Sequence, residues 1–138
     1  MELKKWLNRG WSVYKKLQIK KAHLESLGSA ISNYEPREID LSPVQNSSET
    51  TMLIWSDLKK EIDEMSFKLL KIDRETDKVL KSCTDANQYM VLYCRYIRRL
   101  PWDDVAEAMN YAKSYVFELH RKGIEELDRI TCYKDWEE

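Results

Sequence analysis

The chain has 138 residues, of which 34% are charged, with a formal net charge of −1 and only three Gly and three Pro. So few chain breakers exclude an all-β fold and favour long helices. No run approaches the ~18 apolar residues that span a bilayer, and the opening MELKKWLNR is too polar to begin a signal peptide. A soluble, cytoplasmic, all-α protein with no membrane partner is the expectation.

The charge is unevenly spread: residues 1–34 hold seven Lys and Arg against two Glu, and residues 35–82 and 83–138 each hold eight against eleven acids. From Leu3 the series Leu3, Leu7, Gly10, Tyr14, Leu17, Lys21, Leu24, Gly28, Ile31 steps by threes and fours, which predicts one amphipathic helix over residues 3–32. Lys21 interrupts the seam, where its stem can lie on apolar surface while the ammonium reaches water. The basic set Lys4, Lys5, Arg9, Lys15, Lys16, Lys20 and Lys21 reads as a solvated helix face. Its functional alternatives are a second phosphate-contacting surface or an arm that meets the acidic C-terminal lobe.

Residues 34–50 (YEPREIDLSPVQNSSET) lack a sustained period and are expected to form a long surface loop or a disordered link. Asn46 and Glu49 resemble a capping box, which would start the next helix near Ser47. That helix carries Trp55, Leu58, Ile62, Met65, Leu69, Ile72, Thr76, Val79 and Cys83 along one stripe. Two heptad-like segments joined by a link predict a long antiparallel helical hairpin, coiled-coil-like, over residues 1–83. A two-helix hairpin buries little by itself, so it needs a further lobe, a second copy or a partner to cover it.

The C-terminal lobe is expected over residues 84–131, with a tail at 132–138. Thr84 or Asp85 can cap its first helix, Gln88 completes a box with Asp85, and Tyr89, Leu92, Tyr93 and Tyr96 share a face. Leu100-Pro101 ends that helix, and Pro101 opens a short one that buries Val105, Ala106 and Met109. Asn110 tolerates a left-handed turn. A third helix follows from Ala112, with Ala112, Val116, Leu119, Gly123 and Leu127 inward. A short helix, a tight turn and a longer helix with a polar outer face form the helix-turn-helix pattern.

Cys83, Cys94 and Cys132 have no metal-ligand or disulfide spacing, and the first two sit at core positions. His23 and His120 are expected at the surface or partly packed, since no second ligand lies at a useful spacing. The pairs Asp103-Asp104 and Glu125-Glu126 point apart on a helix and make no acid/base dyad. With no phosphate-binding loop or nucleophile motif, no enzyme activity, metal or cofactor is expected.

The stretch YCRYIRRLPWDDVAEAMNYAKSYVFELHRKGIEELDRI resembles region four of sigma factors, in which a helix of the form T-[LW]-E-E-[VI]-A precedes a recognition helix ending K-A-L-x-x-L. Pro101-Trp102-Asp103-Asp104-Val105-Ala106 and Lys122-Gly123-Ile124-Glu125-Glu126-Leu127 fall on those stretches. Nearly the whole chain is similar to small proteins of phages and prophages of Gram-positive bacteria, which pair such a hairpin with a sigma-like module. Related phage proteins include activators of late transcription.

The resemblance implies a transcription regulator that reads double-stranded DNA as a homodimer inside a bacterial host cell, its third C-terminal helix in the major groove. Helical geometry places Ser114, Phe117, Glu118, Arg121 and Glu125 outward, flanked by Lys113, Tyr115 and Lys122. Lys113, Arg121 and Lys122 are expected on phosphate or guanine, Ser114 and Tyr115 on phosphate, and Phe117 on a thymine methyl. Arg98 and Arg99 are expected on the DNA backbone. Sigma-like modules commonly carry Arg or polar residues where this chain has Tyr115, Phe117 and Glu118. Exposed aromatics amid mixed charge also suit a protein partner, such as RNA polymerase or a repressor to be inactivated.

Overall fold

The computed structural model of the chain describes residues 2–32 and 44–130, and among them all regular structure is helical. The helices are α1 (Glu2–Leu7), α2 (Trp11–Ser32), α3 (Val44–Leu80), α4 (Ala86–Leu92), α5 (Trp102–Met109) and α6 (Lys113–Ile130), with a π turn at Tyr93–Ile97 after α4. None is long and apolar enough to cross a membrane. The all-α expectation therefore stands. The tail at 132–138 and Cys132 lie outside the described residues.

Two boundaries differ from expectation. The single helix over residues 3–32 is broken at residues 8–10, where Arg9 N donates to Trp6 O (3.2 Å) and Trp11 N to Asn8 O (2.9 Å), the tighter spacing of a chain leaving a helix. Gly10, buried at the break, is a poor helix-interior residue. Arg9 gives the break a purpose. Its guanidinium stacks 3.8 Å from the Trp6 ring centroid and reaches Thr76 Oγ1 (3.0 Å), Ile72 O (3.3 Å) and Glu75 Oε2 (3.1 Å) near the end of α3. The second difference is at the start of α3, which begins at Val44, directly after Pro43, so residues 44–50 are helical and not loop. The Asn46/Glu49 pair lies inside that helix, while residues 33–43 are outside the described set.

The described residues divide into two compact units, one drawn from residues 1–11 and from 70 onward, the other from Ser12–Leu69. α1 and the end of α3 thus fall in the same compact unit as the C-terminal helices. The reason is α1: Leu3, Trp6 and Leu7 are buried in one cluster with Val79, Leu80, Leu92, Tyr96, Ile124 and Leu127, so both ends of the sequence build one core. Each such side chain contributes roughly 1.5–3 kcal/mol on burial, far more than any surface ion pair. A second cluster in this unit joins Val91 and Cys94 to Val105, Val116 and Leu119.

The unit of residues 12–69 is held by Leu17 from α2 and Leu58, Ile62 and Leu69 from α3, with Val13, Tyr14, Leu24, Leu27 and Met65 half-buried around them. Lys20 pairs with Glu61 at 2.8 Å, and a Cβ at Gly28 would stand 3.6 Å from the Trp55 indole nitrogen. Contacts therefore count up α2 as they count down α3. Lys21 is exposed, as its stem-and-head chemistry requires.

In the first unit, Asp85 caps α4, its Oδ1 accepting from Asn87 N (2.8 Å) and Gln88 N (3.0 Å). The reciprocal half of the expected box is not made, because Gln88 Oε1 is buried without a partner. After α4, Arg98 N donates to Tyr93 O at 3.1 Å, the wide spacing of the π turn. Arg99 then takes a left-handed φ of 56° and redirects the chain into Leu100-Pro101.

Candidate functional site

The short helix α5 starts after Pro101 and carries Asp103 and Asp104 in its first turn, where acids complement the helix dipole. It ends at Asn110, whose left-handed backbone (φ 59°, ψ 42°) directs its N–H to Ala106 O and Glu107 O. Tyr111 N bonds Ala106 O at 3.1 Å, closing the turn, and α6 begins at Lys113, one residue later than expected. Val116, Leu119, His120, Gly123, Ile124 and Leu127 are buried along its inner side. Gly123 lets α6 approach α4, since a Cβ there would stand 2.9 Å from Leu92 Cδ1 and 3.5 Å from Gln88 Cβ.

The expected outward residues are where helical geometry put them. Lys113, Ser114, Tyr115, Phe117, Arg121 and Lys122 are all exposed on α6, and Arg98 is exposed at the end of the π turn. Arg99 is placed differently. Its side chain is only 6% exposed and holds Asp73 through two bonds, Nη2 to Oδ1 at 2.8 Å and Nη1 to Oδ2 at 3.3 Å. Such a bidentate, shielded pair is a clasp between α3 and the segment before α5. A phosphate cannot replace Asp73 without undoing it.

The cations of α6 are also engaged, though in solvent. Lys113 Nζ lies 2.8 Å from Asp103 Oδ1, Arg121 Nη1 lies 3.0 Å from Glu125 Oε1, and Lys122 Nζ lies 3.3 Å from Glu118 Oε1. Each of these three cations thus has an acid of its own. Around them stand aromatic pairs: Tyr111 with Tyr115 (edge-on, centroids 4.9 Å apart) and Phe117 with Trp102 (5.0 Å). Such edge-on pairs keep large apolar rings rigid in partial contact with water.

Sequence reasoning missed the support beneath this face. His120 is buried, not superficial, and its Nε2 lies 2.7 Å from the Tyr96 hydroxyl. The Trp102 ring meets His120 edge-on at 4.9 Å, and the Arg95 guanidinium lies 4.5 Å from the Trp102 centroid. Burial, followed by the positive charges of Lys4 and Arg95, pulls the His120 pKa down to about 4. Burial raises that of Tyr96 to about 12, so a neutral hydroxyl meets a neutral imidazole. Position 120 does fall between the buried 116, 119, 123 and 124 in helical phase, a signal that could have placed it inward.

Cys94 is buried in the second cluster. Cys83 is half-buried with its Sγ 4.0 Å from Gly123 O, and burial, aided by Glu126 and Asp85, pushes its thiol up to about 11, far from reactive thiolate chemistry. Comparison of the chain with protein-family models, curated proteins and solved structures finds no match.

Proposed function

We propose that the chain is a DNA-binding regulator of transcription that presents α6 to the major groove, in the manner of the sigma-like modules its sequence resembles. The observation that carries this reading is the sidedness of α6. Residues on its inner side are fixed in a core, while Lys113, Ser114, Tyr115, Phe117, Arg121 and Lys122 project into solvent beyond a tight left-handed turn. The ion pairs of the outward face do not oppose it. Their side chains are about half exposed or more, and such pairs contribute at most about 1 kcal/mol, so a phosphate can displace the carboxylate. In this reading α2 and α3 form an antiparallel hairpin, and a homodimer carries two heads to paired half-sites in the cytoplasm of a phage-bearing bacterium. The test is capture of genomic fragments by the full chain at low salt. A defined promoter fragment is expected, with retention abolished by Arg121→Glu; retention of no fragment at all ends the reading.

A second reading rests on a different observation. Tyr111, Tyr115 and Phe117 are 39%, 41% and 43% exposed beside cations already neutralised by their own acids, a surface suited to a protein partner such as RNA polymerase or a repressor. Here binding would tolerate salt and be lost with Tyr115→Ala and Phe117→Ala. A partner recovered only in the presence of nucleic acid would count against it.

A further inference from the structure

We propose that α1 belongs to the DNA-binding head, and that Lys4, supported by Arg95, grips the sugar-phosphate backbone beside the groove that α6 enters. The inference rests on the DNA-binding reading of α6 and supplies what that face lacks. Affinity for duplex DNA comes largely from cations that replace counterions condensed on phosphate. On α6, Lys113, Arg121 and Lys122 each meet an acid at 2.8–3.3 Å, so their net contribution to a positive face is cancelled. Among the other cations of this unit, Arg9 is committed to Glu75 and Arg99 to Asp73. Lys4 and Arg95, like the exposed Lys5, Arg98 and Arg129, make no ion pair with a described acid; of these, Lys4 and Arg95 are the two that act on His120 beneath α6.

Geometry puts these two at the edge of α6. Leu3 and Leu7, on either side of Lys4, share a buried cluster with Ile124 and Leu127, which fixes α1 against α6 and leaves Lys4 exposed. Leu7 of α1 and Asn8 just after it also line a cleft of about 380 Å³ with Trp11, Arg95, Tyr96 and Arg99, so the end of α1 borders the π turn as well. His120 sits between, bonded to Tyr96 and meeting the Trp102 ring on which Arg95 rests. Lys4 and Arg95 are the charges that act on His120, two α6 positions or fewer from the outward Arg121 and Lys122. Lys4 therefore stands where a strand flanking α6 would pass, with a flexible stem and a compact ammonium suited to a phosphate oxygen. Arg95 donates Nη1 to Leu100 O and retains further guanidinium donors beside it.

The experiment measures the salt dependence of binding of the full chain to a short mixed-sequence duplex by fluorescence anisotropy. Lys4→Ala is an exposed change to the best helix former, so folding is preserved. It is expected to reduce the slope of log K against log salt by about 0.9, one phosphate's worth, and to weaken binding several-fold. Lys4→Arg should keep the wild-type slope. Lys60→Ala, an exposed lysine of the other compact unit, removes the same charge and should leave the slope unchanged. An unchanged slope for Lys4→Ala, or an equal loss for Lys60→Ala, overturns the inference while α6 remains a DNA reader. A wild-type chain that shows no salt-dependent duplex binding overturns both.

Discussion

The two compact units differ in how completely they exclude water. In the unit of residues 1–11 and 70 onward, Leu3, Leu80, Leu92, Val91, Val105, Val116 and Leu127 are all 0% exposed. In the unit of Ser12–Leu69 the buried side chains among the described residues are Leu17 (3%), Ile62 (6%), Leu58 (7%) and Leu69 (8%). The difference follows from geometry: two helices meet along a line and leave the flanks of each contact wet, whereas helices packed from several directions close over their contacts. The lesson is that a heptad stripe can mark a seam without marking a core.

The comparison can be attacked through substitutions whose costs should descend in order. Leu127→Ala opens a hole in a fully enclosed site and should cost about 4 kcal/mol in urea unfolding, toward the upper end of such changes. A loss below ~2 kcal/mol would mean this unit is no better sealed than the other. Asp73→Ala leaves the shielded Arg99 guanidinium without its bidentate partner and should cost roughly 3 kcal/mol. Recovery of most of that loss in Asp73→Glu would show that charge, and not packing, is what the clasp supplies.

A pH effect of intermediate size belongs to the same unit. His120 is neutral in the fold with a pKa of about 4, against an ordinary 6.5, so the unfolded chain binds its proton first as pH falls. Stability attributable to this group is complete above pH 6.5, declines between 6.5 and 4, and is lost below. Replacing His120 with Asn should flatten the difference between unfolding curves at pH 7 and pH 5; identical pH dependence in both proteins would remove His120 as the cause. Leu58→Ala, at a less completely enclosed site, should cost about 2 kcal/mol, the lower end of such changes. Equality with Leu127→Ala would erase the contrast between the units.

How far the sequence foretold this depends on the range of the forces involved. The stripe Leu58, Ile62, Leu69, Thr76, Val79 is buried as its spacing required, and Asp85, Asn110 and the sidedness of α6 follow from local rules of capping, turn and period. The break at residues 8–10 was hidden because its bonds run from Arg9 to Ile72, Glu75 and Thr76, more than sixty positions away. Arg99 was read as a surface cation for the same reason: its partner Asp73 lies 26 positions back, beyond the turn that joins α3 to α4. Within the candidate site the outward residues were legible from helical angle alone. Their acid partners Glu118 and Glu125 share α6 at i, i+4 spacing, yet that Lys113 would turn to Asp103 depended on how α5 meets α6.

Gly123 sets a depth. With no side chain of its own, it decides how far α6 sinks toward Leu92, and hence how far Phe117 and Lys113 stand out from the head. Adding one methyl group there gains roughly 1 kcal/mol of helix propensity and loses a similar amount against the buried Leu92 methyl, so Gly123→Ala should melt close to the parent. The outward face would nevertheless be lifted by a few tenths of an ångström. Such a variant would be silent in a thermal screen yet altered in whatever α6 touches, which makes an alanine at this position a gauge of how exactly the head must fit its target.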